Sequence, residues 1–331
     1  MKTFSKNIVF ILLLVPMKTF AQNGQLKKYN WNGYTQLRFT SNFNDVNSFA
    51  MRRMKLWMNS TTDFNEQWGY KIQTTITSFQ NEKFLLQDVV ANYHFQKFKI
   101  NIGQFVPEYS LQRFQSDATI PLTERTSVIN ALIPNGTLGV RDIGLEGDLK
   151  WFNKNLETWF GIFNGNGIKE YRFDNVGIMF TNKTAIHLYD KHITTGYSVM
   201  YRKAEQLQLK SVLPDSISFT GNDYRFNLFV LFQSEKFQIQ TEYLWASLEG
   251  KTADGYYILA VLNLGKNQIV TSFDKYNDLI NSTDDLSEIH LGYNYLINQD
   301  KLKIMLDNSI KVNKGKLESF LMTIQFQIFF N

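Results

Sequence analysis

From about residue 31 to its last residue the chain alternates apolar and polar side chains with a period of two. Only a strand throws successive side chains to opposite faces, so the pattern excludes a helical core and requires nearly every segment to pair into sheet. The clearest run closes the chain. Phe320, Met322, Ile324, Phe326, Ile328 and Phe330 share one face, and Thr323, Gln325 and Gln327 share the other. Met54, Leu56 and Met58 oppose Arg53, Lys55 and Asn59, while Tyr70, Ile72 and Ile76 oppose Lys71, Gln73 and Thr75. Leu302, Ile304, Leu306 and Ile310 stand against Lys303, Asp307 and Lys311 in the same way.

About 16 such segments begin near residues 31, 50, 68, 84, 97, 141, 155, 174, 192, 222, 236, 255, 266, 286, 300 and 316. The number is even, and the links tend to alternate in length. Asp63 to Gln67, Gln96-Lys97, Phe152 to Lys154, Ser234-Glu235, Gly265-Lys266 and Asn298 to Asp300 are tight, whereas Ser41 to Phe49, Val106 to Val140, Lys203 to Gly221 and Asn277 to Asp285 are longer. Short turns on one rim and longer loops on the other, with both termini on the short-turn side, describe a transmembrane antiparallel β-barrel of the outer-membrane type. A secreted β-sandwich also alternates, but its strands are usually nearer 5 or 6 residues, while those here run to about 10–13, a length that crosses a hydrocarbon layer at a tilt. Closure also removes the edges that so many aromatic strands would expose to aggregation. Trp57, Trp68, Trp159, Trp245, Tyr293 and Tyr295 lie near strand ends, where aromatic girdles form.

The N-terminus agrees with export. Lys2 and Lys6 precede the apolar run Ile8 to Val15, and Thr19-Phe20-Ala21 offers the small residues a signal peptidase reads. The run is too short to span a core that needs about 20 residues, so residues 1–21 read as a signal peptide and 22–331 as the barrel domain. Removing 1–21 takes away Lys2, Lys6 and Lys18 and no acid, lowering the formal charge from +5 to +2. That balance, without any Lys/Arg run interleaved with aromatics, gives no support to a nucleic-acid partner. The chain has no cysteine, which excludes a disulfide scaffold, a thiolate metal site and a cysteine nucleophile.

A 16-strand barrel is wide enough to leave an aqueous channel, so passage of solutes is the expected function. The link from Val106 to Val140 follows the fifth strand and holds three of the five prolines, Pro107, Pro121 and Pro134. A loop of that length is functional or disordered, and the apolar Phe114, Ile120, Leu122, Val128, Ile129, Leu132 and Ile133 predict that it packs. It is expected to fold into the lumen as a constriction loop, residues 106–140.

Several segments, in this order and spacing, resemble the phosphate-selective porin O and P family. They are MRRMKL from Met51, GYKIQ from Gly69, LLQDVVANY from Leu85, GQFVPEYSLQRF from Gly103, PLTERTSVINALIP from Pro121, RDIGLEG from Arg141 and GIFNGNG from Gly161. The likeness runs from about residue 31 to the C-terminus and is tighter in the first half. It implies an outer-membrane, 16-stranded, usually trimeric channel of a Gram-negative bacterium, carrying anions such as phosphate. The chain departs from the family in having Val106 where members often carry Lys after the GQF element. It also ends in Asn331 rather than an aromatic, with Phe330 keeping the alternation one place in.

Charge is distributed unevenly. Residues 22–130 hold 12 basic and 8 acidic side chains, and 131–331 hold 20 and 22. If Leu37, Phe39, Met54, Leu56, Ile72, Phe98 and Ile100 face lipid, then Arg38, Arg53, Lys55, Lys71, Lys97 and Lys99 face the lumen. Lys303 and Lys311 continue that wall across the closure, and Asp88 and His94 interrupt it. A single-signed wall in a low-dielectric channel concentrates counter-ions, and Arg grips phosphate or sulfate through paired hydrogen bonds. The expected pore-lining, anion-binding set is Arg38, Arg53, Lys55, Lys71, Lys99, Arg113, Arg125 and Lys303. Glu124, Asp142 and Glu146, with Asp148 beside them, are expected to form an opposing acidic wall and set up a transverse field.

Nothing points to catalysis or to a cofactor. His187, Asp190 and His192 lie in a loop-like stretch without the register of metal ligands, and Gly165-Asn166-Gly167 is turn chemistry rather than a nucleotide loop. An outer-membrane hydrolase would need a lumenal Ser/His pair near a loop tip. A secreted binding module would give a soluble mature protein, whereas the barrel predicts detergent-dependent trimers in contact with outer-membrane lipid.

Overall fold

The computed structural model describes residues 30–62, 64–77, 83–136, 139–168, 177–209, 213, 217–277 and 285–330. The expected signal peptide, residues 1–21, lies outside the described residues. The alternating segments form β1 (Asn30–Ser41), β2 (Asn47–Thr61), β3 (Trp68–Thr77), β4 (Lys83–Phe95), β5 (Phe98–Phe105), β6 (Asp142–Trp151), β7 (Leu156–Phe163) and β8 (Met179–Leu188). They continue as β9 (Ile193–Leu207), β10 (Phe219–Gln233), β11 (Phe237–Leu248), β12 (Lys251–Leu264), β13 (Asn267–Asn277), β14 (Asp285–Asn298), β15 (Leu302–Asn313) and β16 (Lys316–Phe330). Each strand pairs antiparallel with its sequence neighbours, and β1 pairs with β16, so the sheet closes on itself without an edge. The widest gap between an expected and an observed strand start is at β8, expected near residue 174 and found at Met179.

The faces are inverted relative to a water-soluble fold. On β16, Gln325 and Gln327 are 1% and 0% exposed, while Ile324, Phe326 and Ile328 are 37–41% exposed. An apolar belt turned outward with polar side chains sealed inside is stable only where the outer solvent is lipid. The rims are less uneven than the link lengths suggested, because β11–β12 and β15–β16 turn through Glu249-Gly250 and Lys314-Gly315 alone. Both residues of each pair have positive φ, which suits a two-residue hairpin turn and accounts for the glycine in second place.

Register shifts interrupt five of the strand pairings, and two of them change what faces the lumen near β1–β4. Between β1 and β2, Gln36 faces Arg53 and Leu37 faces Met51, leaving Arg52 as an extra residue. Between β3 and β4, Gln73 faces Asp88 and Thr74 faces Leu86, leaving Gln87 extra. A bulge of this kind turns two consecutive side chains to the same side. Arg52-Arg53 and Gln87-Asp88 therefore both point into the barrel, as their contacts below show.

The hydrophobic core lies inside the barrel. Leu244, Tyr257, Leu259, Val261 and Val270 are buried inward on β11–β13, while their neighbours Tyr243, Ile258 and Ile269 are exposed outward. These strands are apolar on both faces because the segment between β5 and β6 packs against them from within. It carries a short helix α1 (Ser127–Leu132), whose Val128, Ile129 and Leu132 are fully buried on β11–β13. The helix stops at Ile133, which is extended as expected of a residue before proline.

The aromatic girdle is only partly as expected. Trp68 packs against Tyr93 with the rings tilted and their centroids 4.9 Å apart, and Tyr293 and Tyr295 are exposed on the outside. Trp57 and Trp159 point inward instead. Trp57 meets the buried Tyr34 and also Phe329, and Trp159 lies 5.3 Å from the buried Lys183 ammonium. Both take the inward parity of their strands, which position along the sequence alone did not reveal. Lys97 lies in the exposed turn between β4 and β5 rather than on a strand.

Candidate functional site

The segment after β5 crosses the lumen because opposite ends of the barrel wall offer it different partners. On one side it meets inward carboxylates and amides. Glu242 of β11 accepts the backbone N–H groups of Leu111 and Gln112 at 2.8 and 2.7 Å, and Asp307 of β15 accepts the Thr123 hydroxyl at 2.7 Å. Asp274 of β13 accepts the Val128 N–H at 3.2 Å, Asn294 of β14 donates to the Pro121 carbonyl, and Arg225 of β10 donates to the Leu132 and Ile133 carbonyls. Apart from its short helix the loop has no hydrogen-bonded ladder of its own, so these side chains satisfy much of its backbone.

On the other side, two loop carboxylates reach the wall of β1 and β2. Asp117 pairs with Arg53 at 2.6 Å and with Lys55, and it also holds Arg125 of the loop itself. Glu124 pairs with Arg38 at 2.7 Å, Arg52 at 2.5 Å and Arg53 at 3.3 Å. Burial would raise both carboxyls, but the surrounding cations prevail. Arg53, Lys55 and Arg125 hold Asp117 well below the ordinary carboxylate range, and Arg53, Arg52 and Arg38 bring Glu124 to about 2.

Between this wall and the loop lies a cavity of about 760 Å³. Its lining carries eight basic side chains, Arg52, Arg53, Lys55, Lys71, Lys99, Arg113, Arg125 and Arg141, against the acidic Asp88, Asp117, Glu124 and Glu146. Asp88 is shared by Arg141 and Lys71 at 2.7 Å each. Arg113 is different. Its buried Nε lacks a hydrogen-bond acceptor, and the side chain forms no ion pair among the described residues. Burial, followed by the neighbouring Arg125, Arg141 and Arg53, pushes its guanidinium down to about 9, although Asp117 opposes the shift. A crowded cation held without its own anion is the local condition for binding one from solution.

The structure gathers Arg53, Lys55, Lys71, Lys99, Arg113 and Arg125 around this cavity. Arg38 lies just beyond it, spent on Glu124, Gln325 and the Thr123 carbonyl. Lys303 is fully buried and held by Asp300 at 2.9 Å. Glu124 sits among the arginines rather than across from them. Glu146 lines the cavity and accepts the Glu108 N–H at 2.8 Å, while Asp142 is wholly buried and ties down Asn135, Gly165 and Gly167. Arg52 and Arg141 were not singled out from the sequence. Arg52 enters through the bulge, and Arg141 through its position at the loop's end, and neither leaves a signal in the alternation. His187 and His192 make separate contacts, to the Thr194 hydroxyl and the Gln233 carbonyl.

A model of the phosphate-selective porin O and P family matches residues 25–316. A search for relatives among curated proteins returns no match. Among solved structures, OmpF of Salmonella typhi in complex with daunomycin is 10% identical, covering 92% of this chain and 98% of its own, with a TM-score of 0.67. An anion-selective porin from Comamonas acidovorans is 9% identical over 92% of this chain and 100% of its own, with a TM-score of 0.66. OmpT of Vibrio cholerae, folded in vitro and in its trimer form, is 10% identical over 92% of this chain and 99% of its own, with a TM-score of 0.60. At such identities the likeness is one of fold.

Proposed function

The chain belongs to the phosphate-selective porin O and P family of the Gram-negative outer membrane, and from that premise we propose that its channel passes small solutes passively with a preference for oxyanions such as phosphate. The observation that carries this reading is the sign of the cavity, whose lining has twice as many basic as acidic side chains. The loop of residues 106–140 acts as the constriction, so a solute must pass between it and the wall of β2–β6. Low-dielectric walls around a like-signed lining raise the local concentration of counter-ions. Arg113 and Arg141 offer guanidinium forks suited to phosphate or sulfate, while Lys55, Lys71 and Lys99 act as point charges.

Two features temper the expected transverse field. Glu124 lines the cavity but is consumed on the basic side, and Asp142 is used in holding backbone, which leaves Glu146 as the lining member of the acidic set that is not paired with the arginines. The selectivity therefore rests on the positive wall. A trimer is the assembly implied by the family resemblance, and the trimer form of the Vibrio cholerae OmpT supports it. The chain is a channel protein rather than an enzyme.

The test is single-channel conductance of the refolded mature protein in planar bilayers, with reversal potentials in a KCl gradient and phosphate titrated as a blocker. Anion preference with block at low phosphate is the expected result. Replacing Arg53 and Lys71 together by Glu exchanges two positive for two negative charges and is expected to reverse the ion preference. Unchanged reversal potentials in that variant would refute the basic wall, and steps without selectivity or block in the parent would identify a general porin.

A further inference from the structure

On the inner wall, close to the ends of β13 and β14 farthest from the short-turn rim, Asp274 and Glu288 face each other in register. His290, one pleat along, faces Ser272. A ligand atom from each of Asp274, Glu288 and His290 lies within 4.8 Å of the others. His290 Nε2 stands 3.4 Å from Glu288 Oε1, and its Nδ1 is held by Asp307 Oδ1 at 3.0 Å. Asp307 is itself fixed by the Thr123 hydroxyl. This leaves Nε2 as the ring nitrogen aimed at the two carboxylates. The arrangement is the carboxylate–imidazole pairing that orients a metal-binding histidine from behind.

Two buried polar atoms at the same place lack partners. Asp274 is 1% exposed and its Oδ1 accepts no hydrogen bond, and the Ser272 hydroxyl beside it is likewise unpaired. Leaving such atoms dry and unsatisfied is costly, and a cation drawn to Asp274 would remove that cost. A tetrahedral ion with ligand bonds of about 2.0–2.1 Å needs donor atoms about 3.4 Å apart. The imidazole–Glu288 distance of 3.4 Å already meets this spacing, and Asp274, whose ligand atom lies within 4.8 Å of the other two, would close the remaining gap on binding.

We propose that Asp274, Glu288 and His290 form a binding site for one divalent transition cation of the zinc type. One imidazole with two carboxylates suits such an ion, whereas calcium or magnesium would favour an all-oxygen set. The two carboxylates balance the charge of the ion. Lys311, whose ammonium lies 3.9 Å from Glu288 and whose side chain is 46% exposed, can turn toward water when that charge is met. The site is also tied to the loop. Ser127, the first residue of α1, donates to Glu288, and the next residue, Val128, donates its N–H to Asp274. The ion would therefore be bound where the constriction loop begins its apolar packing, and its fourth position falls to the Ser127 hydroxyl or to water.

The experiment uses the refolded mature barrel in detergent, stripped with a chelator and dialysed against zinc or cobalt. One metal per chain, visible d–d absorption of the cobalt form and a thermal midpoint raised by zinc are expected. Glu288→Gln and His290→Gln should each lose the metal and the zinc-dependent shift, while Asp307→Asn should weaken binding without abolishing it. Failure of the parent protein to retain zinc or cobalt would overturn the proposal, because this reading requires no variant to fold. Retention at full stoichiometry in His290→Gln would overturn it equally. Neither outcome bears on the basic cavity or on anion passage.

Discussion

Against β10–β13 the in-turned loop is held by apolar side chains packed on an apolar wall, whereas against β1 and β2 it is held by two carboxylates among arginines. The first contact places the buried Val128, Ile129 and Leu132 on Leu244, Tyr257 and Leu259, and Glu242, Asp274 and Arg225 add hydrogen bonds to the loop backbone there. The second depends on Asp117 and Glu124, which take up part of a positive charge that the wall carries in excess. The difference separates two tasks within one lumen. Apolar packing with backbone hydrogen bonds sets where the loop lies, and the ionic side, left under-neutralised, is where the proposed solute contacts would be made.

The largest expected effect comes from removing the ionic anchor. Asp117→Asn leaves Arg53, Lys55 and Arg125 crowded around a neutral amide, and breaking a buried pair in this way costs about 3–5 kcal/mol. Unfolding of the vesicle-inserted protein by denaturant should show that loss together with a stronger anion preference in the reversal potential. A stability loss without any change in selectivity would separate Asp117 from the solute path.

Leu132→Ala attacks the other half. Removing a fully buried leucine costs about 2–5 kcal/mol, and here the cost should fall on the loop rather than on the barrel, whose strand ladders do not depend on it. Faster proteolysis within residues 106–140 at unchanged barrel heat resistance, with a larger and noisier conductance, is the expected pattern. Equal loss of barrel and loop would show that the interior core stabilises the whole wall.

Arg113→Gln sharpens the comparison without loosening either anchor. Arg113 has no ion pair among the described residues, so its loss should cost little stability and relieve crowding with Arg125. Losing a charge-assisted bond of about 1.5–3 kcal/mol should weaken phosphate block about tenfold or more. Full block in this variant would assign the oxyanion site to the wall alone.

The alternation along single strands showed how many strands there are and where nearly all begin, because side-chain parity is a local property of the backbone, and strand length with edge closure and aromatic placement then assigned the apolar face to lipid. It failed where the cause is not local. Arg52 and Gln87 enter the lumen through bulges that exist only in the pairing of two strands. Trp57 and Trp159 were assigned to the girdle by position along the strand, when parity turns them inward. The apolar inner faces of β11–β13 look like the lipid face until the loop that covers them is in place. Glu124 was placed opposite the arginines because its sequence distance from them says nothing of a chain that doubles back across the lumen. The cluster of Asp274, Glu288 and His290 is spread over 17 residues in sequence and becomes a unit only through the register of β13 and β14.

The smallest effect concerns Glu124, which is 37% exposed and shares its charge among Arg38, Arg52 and Arg53. A partly exposed ion pair contributes little, so Glu124→Gln should cost only about 1 kcal/mol. Its pH dependence is the more telling measurement. The carboxyl titrates near 4.5 in the unfolded chain and is lowered to about 2 in the folded one. The folded state therefore holds the carboxylate more tightly, and its contribution is complete above about pH 4.5 and fades as pH falls toward about 2. In that window the parent should lose stability, and its anion preference should rise as Glu124 is neutralised and Arg52 is released. Glu124→Gln should show both features already at neutral pH and change less on acidification. If parent and variant respond to acid alike, the loop is held on its charged side by Asp117 alone, and the contrast between the two halves of the lumen narrows to a single carboxylate.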